Sequence, residues 1–271
     1  MRLKRADWLV LGQALAFWPV WRWYAARLQD GTDELWGLLS LAAALALYIK
    51  TRRENTRDNV PVSFLLPAIL TALYALLYPF LPPLGRAVLA VGAMGTALCN
   101  GSGRTESLRV GGFLLLSLPV IASLQFYLGY PLRLIAGTGT AVLLRLAGYS
   151  VIREGAGLNW GGTLTLIDAP CSGIRMLWAG LFFSLVISGI HRFNSRRTLL
   201  VAGLSIIFVV IGNVLRSAAL FLLGLAHGLP LWVHSGTGAV GFVLAGILLV
   251  WCARLIAMDR KQLCELTLSS S

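Results

Sequence analysis

The sequence predicts an all-α integral membrane protein of about eight transmembrane helices, with an outer-face amphipathic helix and a short β-hairpin. Three observations carry that expectation. Of the 271 residues, 57% are hydrophobic and only 13% are charged, against about 25% charged in soluble domains. Apolar stretches long enough to cross a hydrocarbon core recur along the whole chain. Lys and Arg collect between those stretches, where they set topology. The formal net charge of +12 would raise nucleic acid as the partner of a soluble protein. Here the placement of the charge assigns it to the membrane surface, so lipid is an expected partner and nucleic acid is not.

The expected spans, in order, are 8–24, 35–49, 62–81, 86–100, 110–129, 171–190, 199–224 and 235–256. The basic start and apolar run of the first span resemble a secretory signal. Trp18 and Pro19 interrupt that run, and no small-x-small cleavage site follows, so it reads as a retained span. Spans 35–49 and 86–100 are short for the roughly 20 residues a crossing needs. Pro67 and Pro119 lie inside spans, where neighbouring helices can compensate for the broken backbone bonds.

Orientation follows from the basic residues. With the N-terminus inside, the inner segments hold 15 of the 23 Lys and Arg. The outer segments and outer helix ends hold six: Arg22, Arg27, Arg86, Arg133, Arg145 and Arg153. Arg175 and Arg216 lie within spans. This asymmetry puts both termini in the cytoplasm, in the inner membrane of the cell.

Between the fifth and sixth spans the pattern changes. Residues 133–148 carry Arg133 and Arg145 only twelve positions apart, about 18 Å of helix, which is too short to cross. The expectation is an amphipathic helix on the outer leaflet. Two β-prone runs, 149–153 and 163–168, then flank a Gly/Asn-rich turn, a hairpin signal just ahead of Cys171. Residues 1–271 read as a single transmembrane domain, with 110–256 as a catalytic core and 1–109 as additional spans.

Three residues stand out chemically. Arg216 lies in an otherwise apolar span. A charge there is a candidate for function by default, and its bland alternative is an arginine snorkelling to the headgroups. Counting from Leu199 at the inner side, 17 residues of helix carry it roughly 26 Å across, near the outer boundary. Cys171 sits in Asp168-Ala-Pro-Cys-Ser-Gly-Ile-Arg175, where the hairpin turns into a helix. The positive end of a helix dipole favours the thiolate, and Arg175, four residues on, falls on the same helical face. The alternative is a buried structural cysteine. His234 caps the outer end of the last span, after a loop that also holds His227. Topology set by charges elsewhere sends Cys171, Arg216 and His234 to one side at one depth.

A nucleophile, a proton-transfer group and a cation form the minimal set for acyl transfer. Of the other cysteines, Cys99 and Cys252 read as small apolar filler within helices, and Cys264 lies in a polar tail. No C-x-x-C occurs, which argues against a disulfide relay. The three histidines are dispersed, without an H-E-x-x-H, so neither a metal nor another cofactor is expected.

Pro-Cys-Ser-Gly-Ile-Arg at 170–175, Gly-Asn-Val-Leu-Arg at 212–216, and His234 followed by Gly238 resemble the exosortase/archaeosortase family over roughly residues 115–256. The resemblance implies a membrane cysteine protease or transpeptidase acting on exported proteins. Their C-terminal signal is a short motif (Pro-Glu-Pro in the best-known class), a transmembrane helix and a basic tail. It implies catalytic roles for Cys171, Arg216 and His234, with Ser172, Gly173, Arg175 and Asn213 in support, Asn213 orienting the arginine. The acceptor nucleophile stays open. Many members carry paired histidines at the third motif. Here Val233 precedes His234, and one imidazole suffices for proton transfer. A multi-spanning transporter or scaffold, with Arg216 in an ion path, is the alternative. It predicts polar residues at mid-depth in several spans, and the sequence offers few.

Overall fold

Two of the expected spans break beside a proline. In the computed structural model, which describes residues 5–29, 35–54, 64–99, 103–167, 169–226 and 231–269, the expected first span is two helices. They are α1 (Arg5–Ala16) and α2 (Trp18–Gln29), broken at Phe17. Pro19 has no N–H for the carbonyl of Leu15. One residue earlier, the Trp21 indole N–H donates to the Ala14 carbonyl at 2.7 Å, so the break is bonded by a side chain. Phe17, wholly buried, stacks edge-on against Tyr74 at 4.7 Å.

The chain forms two compact units, Met1–Val120 and Ile121–Ser271. The first continues with α3 (Trp36–Glu54), α4 (Leu65–Leu77), α5 (Pro83–Leu98) and α6 (Arg104–Ser117). Helix α5 lies among α1, α2, α4 and α6. Its buried residues are small: Ala87, Ala90, Ala93, Gly95 and Ala97, with Val91. Small residues let helices approach closely, the usual solution where lipid removes the hydrophobic drive. Helices α3 and α6 also pack together. A β-carbon at Gly37 would fall 2.5 Å from the Ser117 carbonyl oxygen, which instead accepts from the Tyr24 hydroxyl at 2.9 Å.

The expected fifth span, 110–129, is likewise not continuous. Helix α6 ends at Ser117, and α7 runs over Ile121–Leu146. Pro119 cannot donate to the Leu115 carbonyl, and the Leu118 N–H takes that acceptor at 3.2 Å. The separate amphipathic helix expected at 133–148 is also corrected. Residues 133–146 are the C-terminal half of α7, with Pro131 inside the helix. Ala136, Gly137, Thr140, Ala141 and Leu144 are buried along it, and α7 packs on α9 (Ser195–Ala226). Arg133 and Arg145 looked like the ends of a surface helix. Arg145 instead donates to the Val151 carbonyl at 2.8 Å, tying down the exit from α7.

Three strands follow rather than a two-stranded hairpin: β1 (Ile152–Glu154), β2 (Gly157–Trp160) and β3 (Thr163–Leu166), antiparallel in that order. The segment expected as a turn supplies the middle strand. Two tight turns, at 155–156 and 161–162, flank it. Gly161 and Gly162 both take positive φ, +59° and +84°, which matches the right-handed twist of the paired strands. Leu158 anchors β2 in a buried cluster with Ala141, Leu144, Val151 and Phe221.

A 3₁₀ turn (Ala169–Ser172) leads into α8 (Ile174–Ile190), then α9 and α10 (Leu231–Ser269). Helix α9 is the axis of this unit and touches α7, α8, α10 and the 3₁₀ turn. Gly139 of α7 abuts Val214, Gly180 of α8 abuts Ser205 and Val209, and Gly241 of α10 abuts Gly212. Among the described residues, two helical stretches are long and apolar enough to cross a membrane, Ser195–Gly224 and Gly236–Met258. Helices α6 and α7 meet that test only when taken together across their break, and α4, α5 and α8 are shorter apolar helices.

Candidate active site

Cys171 is held by the turn ahead of α8. Gly173, which follows the 3₁₀ turn, has φ +80° and ψ 5°. Only glycine adopts that left-handed conformation readily, and it starts α8 at the next residue. A β-carbon at Gly173 would also lie 3.0 Å from Asn213 Cγ. Conformation and space therefore both select glycine. Asn213, on α9, uses the close approach: its Nδ2 donates to the Cys171 carbonyl at 2.8 Å. From α7, Gln125 Oε1 accepts from the Ser172 hydroxyl at 2.8 Å. Two helices outside the turn thus fix its backbone and its serine.

Cys171 itself is 5% exposed and shares a buried apolar cluster with Ile167 and Leu220. Ile167 directly follows β3, so the strand leads into the cluster that holds the cysteine. Arg175 is exposed in the first turn of α8, while Ile174 and Met176 beside it are buried.

Arg216 lies on α9 three residues beyond Asn213, hence on the same face, and is buried. Gly238 of α10 lies against it: a β-carbon there would be 3.2 Å from Arg216 Cζ and 3.3 Å from Nε. One turn on, a β-carbon at Gly241 would be 3.9 Å from Arg216 Cβ and 4.0 Å from Met176 Cε. Arg216 also lines a largely apolar groove of about 630 Å³ between α9 and α10, whose walls include Leu215, Thr237 and Leu244.

His234 is in the first turn of α10, one turn, or about 6 Å of rise, ahead of Gly238. Its side chain, Asp168, and the loop 227–230 with His227 lie outside the described residues. The structure thus brings Cys171, Ser172 and Gly173 together with Asn213, and Arg216 together with Gly238. Helix α9 joins the two contacts through the one-turn step from Asn213 to Arg216. Among the described residues, no group of His, Cys, Asp or Glu could hold a metal ion.

Gln125 is the neighbour that sequence reasoning missed. Its signal was present: a lone amide within Ile-Ala-Ser-Leu-Gln-Phe-Tyr-Leu, a polar side chain in an apolar stretch. Only its partner, 47 residues away, reveals what it does.

A family model described as transmembrane exosortase matches residues 6–251. No curated protein and no solved structure matches the chain. The family match takes in nearly all of both units, and it begins far ahead of the first motif at Pro170. With two helices of membrane-crossing length and character and a match over most of its sequence, the chain is an integral membrane protein that belongs to the transmembrane exosortase family.

Proposed function

We propose that this protein is a membrane-embedded cysteine peptidase or transpeptidase that removes a C-terminal sorting signal from exported proteins through an acyl-enzyme on Cys171. The observation that carries the reading is the fixed turn at Cys171, bonded from α9 by Asn213, the helix that also carries Arg216 one turn further on. In the proposed reaction the Cys171 thiol gives its proton to the His234 imidazole, and the sulfur attacks the scissile carbonyl carbon. The Arg216 guanidinium stabilises the oxyanion that develops there. The C–N bond then breaks, and His234 supplies the proton taken up by the departing amine. The thioester left on Cys171 is released by water or by an incoming amine, with the neutral imidazole accepting the proton of that nucleophile.

In this reading both termini are cytoplasmic and the site faces the periplasm, as the distribution of Lys and Arg supports. The substrate is an exported protein ending in a short motif, a transmembrane helix and a basic tail. The test is co-expression with exported proteins of the source genome that carry such a tail, following their shortening by immunoblot. Shortening by the wild-type chain and none by Cys171→Ala, at equal membrane levels, is the expected result. Shortening that survives Cys171→Ala removes the acyl-enzyme from the mechanism.

A further inference from the structure

We infer that the outer edge of strand β3 is the docking strand for an extended segment of the protein substrate, which it leads to Cys171. The inference rests on the peptidase reading and adds where and in what conformation the peptide is held.

The sheet has two edges, β1 and β3. Strand β1 reads Ile-Arg-Glu, and its charged side chains are engaged within the sheet. Arg153 donates to the Gly155 carbonyl at 2.8 Å, and Glu154 accepts from Asn159 at 2.7 Å. Charge on an edge is how proteins block unwanted strand addition. Strand β3 reads Thr-Leu-Thr-Leu, without charge or proline, and all four residues are exposed.

The ladder shows which backbone groups that edge offers. The Ile167 N–H donates inward to the Ala156 carbonyl at 3.0 Å. The N–H and C=O of one strand residue point to the same side, and successive residues alternate. The backbone groups of Thr165 and Thr163 therefore face β2, and those of Leu164 and Leu166 face outward. A peptide pairing there gains up to four backbone hydrogen bonds regardless of its sequence, the usual currency of strand addition.

Side chains supply selectivity. Leu164 and Leu166 project on one face, 48% and 64% exposed. They lie over Gly157, where a β-carbon would fall 3.0 and 3.1 Å from their methyl groups. A docked strand sets alternate side chains beside this pair, so the segment that fits is extended and apolar at alternate positions. The edge also ends at the proposed chemistry. Ile167, the next residue after β3, is in the same buried cluster as Cys171.

The experiment uses the full chain and the exported protein whose Cys171-dependent shortening defines the activity. Leu164→Pro removes one outward N–H and leaves the inward bonds of Thr163 and Thr165. It is expected to slow shortening in a pulse–chase by about fivefold to tenfold at unchanged membrane level. Leu164→Lys, which adds an edge charge, is expected to do the same. Independently, benzoylphenylalanine placed at Leu166 in the Cys171→Ala background is expected to photo-crosslink to the substrate next to its cleaved bond. The same probe at Ile152 on β1 is expected not to. If Leu164→Pro does not accumulate, the crosslinks decide. Crosslinks from Leu166 only to lipid, or only to a second copy of the chain, overturn the docking strand, as does unchanged shortening in Leu164→Lys. If no shortening depends on Cys171, the peptidase reading itself falls, and the docking strand with it.

Discussion

Gly238 of α10 lies directly against the Arg216 guanidinium: a β-carbon at 238 would lie 3.2 Å from Cζ. Gly238→Ala should therefore displace the arginine without touching its charge. The approach is tighter than an ordinary contact, so the guanidinium must give by a few tenths of an ångström. A fall in shortening rate with a membrane level near wild type is expected, and a larger fall for Gly238→Val. Gly236→Ala is the control, since nothing lies within 4 Å of a β-carbon there. Equal rates for the two alanine variants would show that the position of Arg216 does not matter.

Arg216→Lys tests shape against charge. A guanidinium offers several N–H donors in a fixed plane and stays protonated where water is scarce, whereas lysine presents a point charge on a flexible stem. Loss of an oxyanion donor costs about a hundredfold or more in rate. Arg216→Lys should reach the membrane normally and shorten the substrate at least about a hundredfold more slowly. Near-normal turnover would identify a snorkelling arginine, because lysine snorkels equally well.

The cysteines divide by position. Cys99 and Cys252 are half-buried in the first and second units, and Cys171 is buried at the turn. Replacing Cys99, Cys252 and Cys264 together by Ser or Ala should leave shortening within about threefold of wild type, since half-buried residues such as Cys99 and Cys252 usually tolerate such changes at modest cost. Inactivity of that triple variant, at normal membrane level, would reassign the nucleophile.

Asn213 and Gly173 should couple. Asn213→Ala loses the bond to the Cys171 carbonyl and leaves a buried acceptor open, a cost of about 1–3 kcal/mol. Gly173→Ala combines a left-handed backbone, about 1–2 kcal/mol for a residue with a β-carbon, with the 3.0 Å approach to Asn213 Cγ. Both single variants should lower the Tm in detergent. The double variant should be less destabilised than the sum of the two, because removing the amide opens space for the methyl. Strict additivity would mean that the contact carries no energy.

Orientation is open to direct labelling. Single cysteines at exposed positions of the 149–168 segment, such as 152 and 164, in a background lacking the native ones, should react with a membrane-impermeant maleimide on intact cells. Those at 192–197 should react only after lysis. The reverse pattern would put Cys171 on the cytoplasmic side and away from any exported substrate.

The sequence by itself determined the solvent, the predominance of helix and the residue types of the candidate site. Those are properties of composition and of short motifs: apolar runs of membrane length, an arginine within one, and Pro-Cys-Ser-Gly-Ile-Arg where a loop becomes a helix. Helix ends were less legible. Pro19 and Pro119 look tolerable within apolar runs, yet each coincides with a break, whereas Pro131 lies inside a continuous helix. Whether a proline breaks a helix depends on what bonds the carbonyl it leaves free and on what the following turns pack against, and neither is local. The same holds for 133–146, whose arginines suggested a surface helix until burial of Ala136, Thr140 and Leu144 showed packing along α7. Only tertiary structure placed Asn213 on the Cys171 carbonyl, 42 residues apart, Gln125 on Ser172, and Gly238 on Arg216. Such contacts are set by how α7, α8 and α10 dock on α9, through glycines and small residues whose meaning depends on the neighbour they admit.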